Sequence, residues 1–138
     1  MSTITKNFPI VFKDGSDPST STATTSMGAN AFSEVFPLQR SFMGEVHIFF
    51  SAGRVGTFYM QYSLDEGSSD DEGVERVNSN NVVTNWQTHS SVSIGGTDDV
   101  CRISLADIGA KWGRVYWAYS SGSTGGVISS SRANLKGF

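Results

Sequence analysis

The chain has 138 residues, 38% of them hydrophobic and 17% charged, with 15 Gly, 3 Pro and one Cys; ten basic against thirteen acidic residues give a formal net charge of −3. That length is one domain, enough to bury a core without metal or disulfide. The acid excess leaves no electrostatic footprint for nucleic acid or an anionic membrane surface, no apolar run reaches a membrane-spanning length, and Met1–Asn7 lacks the apolar core of a signal peptide, so a soluble product of the cytosol is expected. Ser and Thr together make about a quarter of the chain. Uncharged polarity with abundant Gly suits short strands joined by turns and disfavours helix bundles.

In chain order, residues 7–13 place Phe8, Ile10 and Phe12 on one face with Pro9 interrupting the hydrogen-bonding edge, which predicts an edge strand or a strand given to a neighbour. Residues 14–31 hold a Ser/Thr tract with little to bury, read as an extended arm. The chain therefore divides into residues 1–31, an N-terminal strand and arm, and residues 32–138, a β-sandwich. Phe32, Val35, Phe36 and Leu38 around Pro37 predict a short edge strand. Residues 42–50 alternate Val46, Ile48 and Phe50 against Glu45, His47 and Phe49. The clearest strand runs from Val55 to Leu64, with Phe58, Met60, Tyr62 and Leu64 on one face and Tyr59, Gln61 and Ser63 on the other. The connection Ser51-Ala52-Gly53-Arg54 is expected to make these two strands a hairpin.

Residues 66–73 form an acidic loop. Gly67 and Asp70 stand where an EF-hand would need other residues, so that motif fails, and Asp65, Asp70, Asp71 and Glu72 are the candidates for a cation site of another kind. After Val82, Val83 and Trp86, Val92 and Ile94 resume a strand up to the turn Gly95-Gly96-Thr97-Asp98. Cys101, Ile103 and Leu105 alternate inward with Arg102 and Ser104 outward, and Ser104-Leu105-Ala106-Asp107 has capping-box spacing for one helical turn. Val115, Trp117 and Tyr119 oppose Tyr116 and Ala118 on the last strong strand, and a final strand follows Ser121–Gly126.

No constellation demands a reaction. His47 and His89 have no patterned catalytic partner, and no nucleophile elbow, zinc-protease helix or phosphate loop is present. Cys101 lies in an alternating strand as a small buried hydrophobe. No cofactor, catalytic residue or enzyme activity is expected. Outward Phe49, Tyr59 and Tyr116 form an aromatic stripe read as a subunit interface. The alternative is a sugar-stacking platform of Trp112, Tyr59 and Tyr116 in a carbohydrate-binding module for host-surface glycans.

Two stretches, Gly56-Thr57-Phe58-Tyr59-Met60-Gln61-Tyr62-Ser63-Leu64-Asp65 and Trp112-Gly113-Arg114-Val115-Tyr116-Trp117-Ala118-Tyr119-Ser120-Ser121-Gly122-Ser123-Thr124-Gly125-Gly126, resemble small β-sandwich virion structural proteins of tailed bacteriophages. They cover 25 of the 138 residues. The resemblance implies an all-β sandwich or jelly roll of about eight strands, made in the host cytoplasm and located in the virion. It also implies a capsid decoration (cement) protein or head/tail adaptor that forms a homotrimer or other homo-oligomer and contacts the major capsid protein. With it goes the expectation that Phe8, Ile10 and Phe12 dock on a neighbouring subunit by strand exchange.

Overall fold

The computed structural model describes residues 4–14, 23–38, 41–63, 68–69, 75–76, 86–105 and 111–137. Alternation of apolar and polar side chains puts most of them into strands, and no helix occurs among the described residues. In order these are β1 (Ile4–Pro9), β2 (Phe12–Asp14), β3 (Ala31–Ser33), β4 (Phe36–Pro37), β5 (Ser41–Phe50) and β6 (Val55–Ser63). They continue with β7 (Ser68–Ser69), β8 (Glu75–Arg76), β9 (Gln87–Ile94), β10 (Val100–Ser104), β11 (Trp112–Ser121) and β12 (Ile128–Gly137).

Two antiparallel sheets result. Sheet A has the order β1-β12-β5-β10; sheet B has the order β2-β3-β11-β6-β9, with β4 also paired to β11. Strands β7 and β8 pair with each other in a separate small ribbon. Antiparallel pairs join β1 to β12, β3 to β11, β5 to β10 and β6 to β9. The sheets pack as a β-sandwich, because each has one apolar face that must leave water.

Phe58, Met60, Val115 and Trp117 from sheet B pack in one cluster with Val46, Ile48, Cys101, Ile103, Ala133 and Leu135 from sheet A. Phe58 is the hub. Its ring centroid lies 4.6 Å from that of Trp117, 5.9 Å from Phe50 and 6.2 Å from Phe12. The buried Trp117 indole would be costly without a hydrogen-bond acceptor; its Nε1 donates to the Met27 carbonyl at 2.8 Å.

One expectation is corrected here. Residues 51–54 do not close a hairpin: β5 lies in sheet A and β6 in sheet B, so the connection arches from one sheet to the other. The passage from β11 to β12 arches likewise, and the two arches lock together. Arg54 lies 5.8 Å from the Tyr119 ring centre and donates from Nε to the Gly125 carbonyl at 3.1 Å and from a terminal nitrogen to the Gly122 carbonyl. Gly126 has φ +71°, and a Cβ there would collide with the Arg54 side chain, so only glycine serves at this crossing.

The N-terminal segment forms edge strands, one of the two outcomes its sequence predicts. In this chain β1 pairs along its whole length with β12, from Ile4 opposite Gly137 to Pro9 opposite Arg132. The chain then steps across the sandwich at Ile10 and Val11, and β2 pairs with β3. Ile10 and Phe12 are buried in the chain's own core and Phe8 packs against it, its ring 5.8 Å from Phe36. Within this chain Ile10 and Phe12 are thus covered and Phe8 partly covered.

Candidate binding face

The outer face of sheet B carries the densest group of side chains that the core does not claim. Register dictates its composition. Tyr116 stands opposite Phe32 on β3 and opposite Tyr59 on β6, and Arg114 stands opposite Gln61. Inward Val115 and Trp117 fix the alternation, so Arg114, Tyr116 and Ala118 point outward with Thr57, Tyr59 and Gln61.

Phe32 and Tyr116 stack with centroids 4.4 Å apart and planes 15° from parallel. Tyr116 and Tyr59 continue the row at 5.9 Å and 20°. The Arg114 guanidinium lies 4.4 Å from the Phe32 ring centre and 4.3 Å from that of Trp86, and its Nε donates to Gln61 Oε1 at 2.8 Å. A guanidinium between two aromatic rings is held by their quadrupoles. Burial, slightly offset by the neighbouring Tyr116, lowers the Arg114 pKa to about 10, which leaves the group charged at neutral pH. The result is a cross-strand ladder, half-buried and set on three adjacent strands of a rigid sheet.

The sequence-derived candidates fall into different places. Tyr59 and Tyr116 are brought together, while Phe49, expected beside them, lies on the outer face of the opposite sheet, 44% exposed. Its strand β5 belongs to sheet A, so the single stripe of Phe49, Tyr59 and Tyr116 does not exist. Trp112 is also corrected: it is 3% exposed and cannot serve as a stacking platform. Asp65, Asp70, Asp71 and Glu72, the cation candidates, and the helical turn at residues 106–108 lie outside the described residues. Among the described residues no group of three His, Cys, Asp or Glu is placed to hold a metal.

Cys101 is buried, and desolvation raises its thiol pKa to about 12. His47 does have a carboxylate partner, with Nε2 2.8 Å from Glu45 Oε2. The two are alternate residues of one strand on an open sheet surface. His89 lies beside Ser90, Nδ1 to Oγ 3.2 Å. Sequence reasoning missed Phe32, Gln61, Trp86 and Arg114 as members of a site. Their signal was parity: Arg114 shares the outward phase of Tyr116, and Gln61 that of Tyr59.

Comparison with family models, with characterised proteins and with solved structures finds no match.

Proposed function

We propose that this chain is a non-enzymatic structural protein of a tailed-phage virion, a capsid decoration protein or head/tail adaptor, that works by self-association through the outer faces of its two sheets. The observation that carries the assembly reading is the ladder of Phe32, Tyr116, Tyr59 and Arg114. Aromatic and Arg side chains preordered on a rigid surface are what protein interfaces concentrate at their centres. The virion setting rests on the resemblance of β6, β11 and the arch after β11 to phage β-sandwich proteins.

The finer fold we propose is a jelly roll. Counting β2 to β4 as one strand and setting the β7–β8 ribbon aside, the pairs β1 with β12, β3 with β11, β5 with β10 and β6 with β9 join first to eighth, second to seventh, third to sixth and fourth to fifth. That is a ribbon of paired strands wound over a sandwich, an architecture of viral capsid proteins and of lectins. Fold alone does not choose between the two. Within the ladder the rings stack on one another, and Trp112 is buried, so little flat aromatic surface is left for a sugar. This favours assembly over glycan recognition.

Light scattering on the purified protein tests the proposal. A stable trimer or other homo-oligomer is expected, with Tyr59→Ser/Tyr116→Ser shifting its mass toward the protomer. A wild-type protein that stays a protomer at every concentration and gives a glycan-array signal lost in the same variant would overturn it.

A further inference from the structure

The outer face of sheet A bears a row of basic side chains. Arg102 on β10 stands opposite His47 on β5, which stands opposite Arg132 on β12. Lys136 continues the positive side opposite Met43. Among the described residues of this face Glu45 is the only carboxylate, and it is engaged with His47. Arg132 is steadied by the Asn7 side chain, its Nε donating to Oδ1 at 2.8 Å. Exposed Met43 and Phe49, each 44% accessible, stand on the same strand as His47. Among the described residues the face thus carries Arg102, Arg132 and Lys136 against the single carboxylate of Glu45, together with exposed apolar side chains.

The complementary charge is in the same sequence. Six of the thirteen acidic residues, Asp65, Glu66, Asp70, Asp71, Glu72 and Glu75, fall within residues 65–75, and none of the ten basic ones does. The rest of the chain holds seven acids against ten bases, a net charge of +3. This acidic segment joins β6 to β9, both strands of sheet B.

We infer that the outer face of sheet A docks the acidic segment of a second copy of this chain, the row Arg102–His47–Arg132 receiving Asp70, Asp71 and Glu72, with Phe49 and Met43 as the apolar contacts. The inference rests on the assembly reading and names the surfaces that meet. Made reciprocally, this contact gives a two-fold dimer; made head-to-tail, it builds closed rings or open stacks.

Charge-swap mixing followed by light scattering tests it. Arg102→Glu/Arg132→Glu sets acid against acid, and Asp70→Lys/Asp71→Lys/Glu72→Lys sets base against base, so each variant alone is expected near the protomer mass. Mixed one to one, each variant's segment meets the other's face with opposite sign, and association returns. The wild-type oligomer is expected to lose mass as salt rises from about 0.05 M to about 0.5 M, because exposed charge pairs are screened over that range. A mixture no heavier than its components, or a wild-type mass indifferent to salt, would overturn the docking. If the variants keep the wild-type oligomer's mass, only this docking falls; if the wild-type protein is a protomer throughout, the assembly reading falls with it.

Discussion

Arg114 shows how one residue joins the core to the surface. It stands in the outward phase of a strand whose inward residues, Val115 and Trp117, are fully buried, and it is packed between Phe32 and Trp86. Arg114→Lys keeps the charge but loses the planar fork that stacks on two rings and bonds Gln61. We expect it to destabilise the protein by about 1–2 kcal/mol in denaturant unfolding, with Arg114→Ala costing no less; a Lys variant as stable as wild type would contradict the stacking account. Cys101 gives a second test. Its pKa is raised to about 12 by burial, so the folded state holds the thiol proton more tightly than the unfolded chain. That contribution is fully present below the unfolded value of about 8.5 and is lost as pH rises toward 12. The native protein at pH 8 should leave a thiol reagent unreacted until denaturant is added, and stability should fall between about pH 9 and pH 12 more in wild type than in Cys101→Ala.

At the scale of strands, β1 and β2 are integral to the sandwich. Removing residues 2–12 would take away an edge strand of sheet A together with buried Ile10 and Phe12. Each such side chain contributes about 1.5–3 kcal/mol by burial. Set against a typical net stability of about 5–15 kcal/mol, that loss should abolish the cooperative thermal transition seen by circular dichroism. A truncated protein with an unchanged melting curve would show that the N-terminal strand belongs to a neighbour instead. Which residues face inward on β5, β6, β10 and β11 was legible, because alternation of Phe58, Met60, Val46, Ile48, Ile103 and Val115 with polar neighbours has one physical meaning. Which strand pairs with which was not. Ser51-Ala52-Gly53-Arg54 suits a hairpin and a sheet-to-sheet arch equally well, and only the packing of Arg54 against Gly122, Gly125 and Gly126 decides for the arch. That single ambiguity misplaced Phe49 beside Tyr59. The ladder was half legible: Tyr59 and Tyr116 could be seen to face outward, but Phe32, Trp86 and Arg114 come from segments far apart in sequence and meet only through the register of β3 and β6 on β11. Trp112 shares the phase of Arg114 and is nevertheless buried, which alternation alone does not foretell.

For the whole molecule, the two sheets carry different outer surfaces. Sheet B presents the aromatic ladder, and sheet A presents cations flanked by exposed Met43 and Phe49. A specific interface takes about 800 Å² from each partner, which is an area on the scale of one sheet face of a domain this size. On the docking proposed above, these two unlike faces would meet between successive copies of the chain. The measurement that tests this account most directly is the solution mass of the wild-type protein beside Tyr59→Ser/Tyr116→Ser, taken by light scattering across a concentration series. The account predicts a wild-type homo-oligomer and a variant shifted toward the protomer with its strand content intact by circular dichroism. A wild-type protein of protomer mass throughout the series, or an oligomer of the same mass in both, would contradict it.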